Sequence, residues 1–205
     1  QEVFQKIMSS FLYLCARFLG KILFKTLFRL EVKGKENLAD IGRICIISSN
    51  HESYLDPLIL GLIFPRRLRY FSKKEMFSIP VLSFLIRQFG AIPIDRDESS
   101  SITMRQGVRV IRDGDWLVIF PEGTRSKTRE LLAPKEGLGF LHYKTGAPII
   151  PVYISGAGRA LPVGAKFIRF TKIKVFIGEK ISIGGKDYKY TAGKVMEAIK
   201  GLKER

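Results

Sequence analysis

Two different patterns of hydrophobic positions divide the chain near residue 30. In the first thirty residues, apolar and aromatic side chains surround cations that recur every four positions (Arg17, Lys21, Lys25 and Arg29). A step of four turns only about 40° on an α-helix, so these cations form one slanting stripe. The longest uncharged run, residues 7–16, is about half the length that spans a bilayer. We therefore predict an amphipathic helix, or a helical hairpin broken near Gly20, lying in a membrane interface with its cations toward the headgroups. A helix that packs on the core and exposes a basic face is the alternative.

After Gly34, short apolar runs suited to buried strands alternate with helical segments. The predicted strands are 44–48, 69–71, 92–94, 116–120, 149–154, 167–170 and 174–177. The first predicted helix of this region has Asp56 as its N-cap and begins with Pro57. The second covers 75–89, with a break or delayed start at Pro80. Three more cover 101–112, 137–144 and 191–203. This alternation predicts an α/β fold with a largely parallel central sheet flanked by helices. We expect an N-terminal helical segment over residues 1–30 and one domain over 31–205.

Three polar clusters fall at the ends of predicted strands. They are residues 50–56, the pair Asp95-Arg96, and residues 122–126. Ligands of open α/β sheets collect at the carboxyl ends of strands, so the three clusters are expected to share one site.

The first cluster contains a histidine and an aspartate five residues apart, His51 and Asp56. Histidine is the usual general base near neutral pH, and a carboxylate on one ring nitrogen would fix the tautomer and stabilise the imidazolium. Residues five apart on a helix point about 140° apart, so this pairing requires a bend between them. The segment alone supports equally well a capping aspartate beside a histidine in a polar loop.

The other two clusters carry arginines suited to a phosphate. Arg96 and Arg125 could each grip a phosphate through two parallel hydrogen bonds, and Gly123 allows close approach of the backbone to a ligand. Taken singly, each cluster also fits an ordinary solvated loop.

Taken together, these residues resemble the 1-acylglycerol-3-phosphate acyltransferase (lysophosphatidate acyltransferase) family. The family's four blocks are present in order, as residues 50–56 (NHESYLD), 90–96 (GAIPIDR), 120–126 (FPEGTRS) and 149–154 (IIPVYI). The resemblance covers about residues 30–179. Pro93 replaces a more usual bulky apolar residue, and it cannot donate a hydrogen bond to a neighbouring strand.

The resemblance implies a role for each site residue. His51 would be the general base and Asp56 its partner, while Arg96, Arg125 and Lys73 would hold the acceptor phosphate. Glu122 would contact the glycerol portion or orient an arginine, and Gly123 and Thr124 would complete the substrate-binding block. The family needs no metal and forms no acyl-enzyme. Its co-substrate is acyl-CoA or acyl-carrier protein, and the acyl group goes to the 2-hydroxyl of 1-acylglycerol-3-phosphate to make phosphatidic acid.

Charge adds an expected partner. Lysine and arginine number 35 against 19 acidic residues, a net charge of +16, which attracts an anionic partner. No nucleic-acid reading element is recognisable, so we expect an anionic membrane surface, lysophosphatidic acid and an acyl thioester as partners, and no nucleic acid.

The expected location is the cytoplasmic face of a membrane, with interfacial rather than spanning contact. Cys15 and Cys45 have neither metal-ligand nor disulfide spacing.

Two alternatives remain at this stage. One is acylation of glycerol-3-phosphate or of another lysophospholipid, and the other is a basic membrane-binding protein without activity. The sequence leaves open the acyl carrier, the chain length, the oligomeric state and the source. Because it begins at Gln1 and not at methionine, a preceding targeting segment is also an open question.

Overall fold

A single mixed sheet forms the centre of the computed structural model, which describes residues 2–78, 80–95, 100–165 and 167–204. Within them the strands are β1 (Glu31–Lys33), β2 (Cys45–Ser49), β3 (Leu68–Lys73), β4 (Ala91–Ile94), β5 (Trp116–Ile119), β6 (Ile149–Ser155) and β7 (Lys174–Ile177). Their order in the sheet is β1-β7-β6-β2-β5-β3-β4. Neighbouring strands are parallel except β6 and β7, which are antiparallel. The predicted α/β fold with a largely parallel sheet is confirmed.

Helices cover both faces of this sheet. They are α1 (Glu2–Leu27), α2 (Asp56–Ile63), α3 (Pro80–Gln88), α4 (Ser100–Arg112), α5 (Gly137–Thr145), α6 (Ala157–Ala160) and α7 (Tyr188–Lys203). Single 3-10 turns lie at Lys35–Leu38 and Lys74–Ser78. One core layer joins α1, α2 and α6 to the sheet, and the other joins α4, α5 and α7.

The central strand β2 shows why the run from Cys45 to Ile47 is apolar. Successive side chains of a strand point to opposite faces, and here Cys45 and Ile47 enter the α1–α2 layer while Ile46 enters the opposite layer. All five residues of β2 are buried. A strand covered on both faces gains from an unbroken apolar run, and such a strand must place its polar chemistry after its end.

One predicted strand, 167–170, is wrong. The segment has no regular secondary structure, and Phe167 and Phe170 are 82% and 64% exposed. Its apolar residues therefore do not mark a buried strand. For the helix predicted over 75–89, the delayed start at Pro80 is confirmed, because α3 begins at Pro80 after a 3-10 turn at Lys74–Ser78.

The N-terminal segment is one helix and not a hairpin. Gly20 lies inside α1, where a Cβ would come within 2.7 Å of a methyl of Leu62, so this glycine permits close packing of α1 on α2. Arg17 also differs from expectation, because its guanidinium donates to the backbone carbonyls of Leu62, Phe64 and Pro65 at the end of α2. This cation thus satisfies a helix C-terminus instead of facing headgroups. The division of the chain at residue 30 stays a prediction.

The packing of α5 on α7 generates a stability prediction. A Cβ on Gly139 would lie 2.2 Å from the carbonyl oxygen of Tyr188, a backbone atom that cannot move aside. Gly139→Ala should lower the free energy of unfolding by about 1–3 kcal/mol, as overpacking does, measured by urea unfolding. Gly193→Ala on α7 is the matched control. Its Cβ meets nothing within 4 Å, so it should keep or raise stability, by up to about 1 kcal/mol. Equal effects of the two changes would contradict the prediction.

Candidate active site

The corner between β2 and α2 is held by one aspartate oxygen. Asp56 is the first residue of α2 and is 1% exposed, and its Oδ2 accepts hydrogen bonds from the backbone N–H groups of Glu52 and Ser53, each at 2.8 Å. Asp56 is therefore not the N-cap that its position before Pro57 suggested. Its carboxylate points back into the preceding loop and folds that loop around itself.

His51 completes the set of groups around the same oxygen. Its Nδ1 lies 2.8 Å from Oδ2 of Asp56, and its side chain is 17% exposed. The carboxylate favours the tautomer with the proton on Nδ1, which leaves Nε2 as an acceptor. Within the described part of the chain, Nε2 has no hydrogen-bond partner. The imidazole also stacks on Phe120, with ring centroids 3.9 Å apart and planes 16° apart.

Glu122 ties the loop after β5 to the loop after β2. It is 3% exposed, and its Oε1 and Oε2 accept from the backbone N–H groups of His51 (2.9 Å) and Leu132 (3.0 Å). Ser126 adds a second link, because its backbone N–H donates to the carbonyl of His51 at 2.8 Å. These bonds give Glu122 a positioning function for His51. Its contact with the glycerol portion or an arginine stays a prediction.

Arg125 lies beside the histidine block. Its guanidinium carbon is 3.5 Å from the ring centroid of Tyr54, a cation–π stack. Its Nη1 is buried, and no described residue accepts a hydrogen bond from it. A buried guanidinium nitrogen without a partner is a group prepared for an anionic ligand. In the same turn, Gly123 has φ +68° and Thr124 is exposed.

The third group of predicted residues lies farther along the sheet. Lys73 is exposed at the end of β3, where it pairs in register with Ile94 of β4. Its neighbour Lys74 forms an ion pair with Asp95, with Nζ and Oδ2 3.3 Å apart. Arg96 follows Asp95 but lies outside the described residues. The structure thus brings His51, Asp56, Glu122 and Arg125 together, and it places Lys73 two strands away from β2, beyond β5.

Three further residues shape the site and were not given roles from sequence. Phe120 supplies the surface under the imidazole, and Tyr54 supplies the surface under Arg125. Asn50 joins β2 to β6, because its side chain donates to the carbonyl of Ile154 (3.0 Å) and accepts from that residue's N–H (2.7 Å). All three stand inside the motif blocks, but no spacing rule reveals a stacking or bridging function.

Burial of carboxylates sets the electrostatics of the corner. Burial, helped by the negative charge of Asp56, raises the pKa of Glu52 to about 7, and burial also raises the pKa of Glu122. Among the described residues, no group of three or more His, Cys, Asp and Glu side chains could hold a metal ion. The expectation that no metal or cofactor is needed stays a prediction.

Comparison with known proteins gives this arrangement a family. The model of a family described as Acyltransferase matches residues 29–155, more than half of the chain. The chain belongs to the acyltransferase family. The resemblance read from the four blocks is thereby confirmed.

Named relatives of the chain include plant and bacterial proteins. It is 30% identical to a chloroplastic 1-acyl-sn-glycerol-3-phosphate acyltransferase of Brassica napus, over 81% of this chain and 48% of the relative. It is 29% identical to the 1-acyl-sn-glycerol-3-phosphate acyltransferase of Bacillus subtilis strain 168, over 74% of this chain and 73% of the relative. The crystal structure of the 1-acyl-sn-glycerophosphate (LPA) acyltransferase PlsC from Thermotoga maritima superimposes with a TM-score of 0.79 at 28% identity, covering 98% of this chain and 82% of that one.

The chain spans about half the length of the plant relatives that it matches, 48% of the Brassica napus protein and 51% of one from Arabidopsis thaliana. The bacterial relatives are matched over most of their length. The matched part includes the histidine corner and the Glu122–Ser126 turn, both within residues 29–155.

The buried Glu52 generates a prediction for the pH dependence of stability. Its pKa is about 7 in the folded acyltransferase against 4.5 for the free side chain, so the folded state binds more protons between these values. Unfolding then releases a proton, and the contribution of Glu52 to stability falls as pH rises from about 4.5 to 7. Glu52→Gln should remove this contribution and flatten the decline, measured by urea unfolding at several pH values. Glu36→Gln, at an exposed position, is the control and should keep the wild-type profile. A Glu52→Gln profile identical to wild type would contradict the assignment.

Proposed function

We propose that this acyltransferase moves a fatty acyl group from a thioester to the 2-hydroxyl of 1-acylglycerol-3-phosphate and so makes phosphatidic acid. One observation carries the proposal: Nε2 of His51 is unpartnered among the described residues, while Asp56 holds Nδ1 at 2.8 Å and Arg125 lies beside the same loop. The names of the relatives support this acceptor.

The reaction proceeds by direct transfer with His51 as general base. A hydroxyl is a poor nucleophile at neutral pH, so Nε2 removes its proton as the oxygen attacks the thioester carbonyl. Asp56 stabilises the imidazolium that forms, and the tetrahedral intermediate collapses with expulsion of the thiol. His51 then gives this proton to the departing thiolate. The thiol leaves protonated, and the histidine returns to its starting state.

Arg125 holds the acceptor phosphate in this scheme. The unpartnered Nη1 supplies a donor, and the stack on Tyr54 fixes the plane of the guanidinium so that its two parallel N–H groups point one way. Lys73 and Arg96 are proposed to add positive charge from the β3–β4 side. Gly123 and Thr124 are proposed to approach the acceptor through the same turn.

Contact with an anionic membrane completes the proposal. Among the side chains of α1 that the structure describes, seven large apolar ones are at least 39% exposed: Leu12, Leu14, Phe18, Leu19, Ile22, Leu23 and Leu27. Among the described residues, no helix is both long enough and apolar enough to cross a bilayer. We propose that α1 lies in the interface at the cytoplasmic face, where either acyl-CoA or acyl-carrier protein would deliver the acyl group.

Replacement of the histidine tests the mechanism. His51→Ala should lower kcat by about 10²- to 10⁴-fold with little change in affinity for the acceptor, measured as thiol release from an acyl thioester with lysophosphatidate. Asp56→Asn should also lower kcat strongly, because an amide can favour the wrong tautomer. Circular dichroism of each variant would exclude unfolding. A stoichiometric burst of acylated protein after mixing thioester with enzyme alone would refute direct transfer.

A second series tests the phosphate site through its aromatic support. Arg125→Ala should mainly raise the KM for lysophosphatidate, and Arg125→Lys should restore only part of the affinity, since an ammonium lacks the guanidinium fork. Tyr54→Ala should raise the same KM by severalfold with little change in kcat, because the guanidinium loses its supporting ring. Tyr54→Phe is the matched control, since it keeps the aromatic face. The series would count against this phosphate site if Arg125→Lys were fully active at low acceptor concentration.

A further inference from the structure

A surface loop carries the most exposed aromatic residue of the described chain. In the segment Phe167–Phe170, Phe167 is 82%, Ile168 49% and Phe170 64% exposed. Single exposed apolar residues are common on proteins, whereas adjacent ones at the tip of a loop mark a contact surface. We call these four residues the aromatic tip.

The aromatic tip lies next to the C-terminal end of α1. The rings of Phe28 and Phe170 meet edge to face with centroids 5.6 Å apart, and Ile173 donates its N–H to the carbonyl of Phe28 at 2.9 Å. The nearby residues Leu23 and Leu27 are 50% and 39% exposed. The exposed apolar face of α1 therefore has a second apolar element beside it.

A basic pocket opens at the base of this loop. It is a cavity of about 400 Å³ lined by Lys127, Arg129, Arg159 and Arg169, with Glu52 and Ser126 on its inner wall. Within the described part of the chain, none of the four cations forms an ion pair. Arg129 has φ +66°, a strained conformation for a residue with a side chain, and such strain tends to persist where it serves a function.

The pocket adjoins the catalytic corner. Glu52 and Ser126 line it. Glu52 follows His51 in the chain, and Ser126 donates its backbone N–H to the carbonyl of His51. The loop that carries the aromatic tip is fixed to the same corner, because the hydroxyl of Ser53 donates to the carbonyl of Leu161 at 2.9 Å. Arg169 of the aromatic tip lines the pocket, and its backbone N–H donates to the carbonyl of Ala160 at 2.8 Å.

We propose that the aromatic tip is a second membrane contact, and that it seats the basic pocket at headgroup level, where the pocket receives the phosphate of an anionic lipid. Phenylalanine side chains bury in the boundary between headgroups and acyl chains, and four cations that form no ion pair among the described residues complement a lipid phosphate. The tip and the apolar face of α1 together fix how the protein sits on the bilayer. This lipid belongs to the bilayer and is distinct from the acceptor, whose phosphate Arg125 holds in the proposed function, so the membrane contact does not rest on that function.

Vesicle binding tests the tip directly. Phe167→Ser should weaken binding to phosphatidylcholine vesicles containing phosphatidic acid by roughly tenfold, since a phenyl group leaves the lipid. Phe18→Ser on α1 should weaken it similarly. Tyr190→Ser is the matched control, because Tyr190 is 54% exposed on α7, which packs against the opposite face of the sheet, and its binding should be unchanged. Equal binding by Phe167→Ser and Tyr190→Ser would overturn the proposal.

Insertion can be read from fluorescence. The chain has one tryptophan, Trp116, which is 4% exposed and provides a constant background. Phe167→Trp should gain a signal that brominated lipid quenches, and Tyr190→Trp should not. A signal at residue 167 that is insensitive to brominated lipid would place the tip outside the bilayer. Loss of a lipid-free dimer in Phe167→Ser, seen by sedimentation, would assign the surface to a second copy instead and overturn the proposal.

A charge-matched pair of variants tests the pocket. Arg159→Gln with Arg169→Gln should reduce the preference for phosphatidic acid over neutral vesicles severalfold, whereas Arg105→Gln with Arg109→Gln removes the same charge from α4 and should leave most of it. Equal losses would show that only net charge matters and would overturn the pocket assignment. Because binding is measured without a thioester, these results do not depend on acyl transfer. An inactive protein with the expected binding would count against the proposed function alone.

Discussion

Oδ2 of Asp56 is the atom on which the geometry of the site depends. It accepts from two backbone N–H groups and lies 2.8 Å from Nδ1 of His51, and the side chain of Asp56 is 1% exposed. Hydrogen bonds to an ionised acceptor are stronger than neutral ones, and burial strengthens them further. These contacts of one oxygen bend the loop between β2 and α2 and orient the imidazole. The fold of this corner and the orientation of the imidazole therefore depend on the same contacts.

The rest of the sheet makes that corner possible. Because β2 is buried on both faces, its polar residues are confined to its carboxyl end, and parallel pairing with β5 brings the Glu122 turn to the same edge. The carboxylate of Glu122 then fixes the backbone of His51, while the side chain of Asn50 bonds the backbone of Ile154 in β6. Three adjacent strands therefore hold one short loop. Buried acids accumulate there, and the raised pKa of Glu52 is an electrostatic cost of this arrangement.

The helical layer that contains α1 serves both the core and the surface. Tyr13, Phe24 and Phe28 are buried, and Gly20 allows the helix to approach α2, so α1 is packed on the acyltransferase domain. The same helix exposes a wide apolar face, and the Phe167–Phe170 loop lies at its end. An enzyme whose proposed acceptor is an amphipathic lipid gains from this geometry, because the substrate need not leave the bilayer completely before it meets the base.

Sequence alone determined the alternation of strands and helices, the family blocks and the position of the polar clusters after strands, because these depend on local periodicity and residue type. It could not determine contacts between distant segments. The apolar run at Phe167–Phe170 satisfied the rule for a strand, yet in the structure it pairs with no strand and lies exposed. Asp56 satisfied the rule for an N-cap, yet its carboxylate turned toward the preceding loop. Arg17 belonged to a regular basic stripe, yet it reached the carbonyls at the end of α2, 45 to 48 residues away. In each case the local pattern allowed two partners, solvent or a distant part of the chain, and only tertiary packing decided which one was within reach.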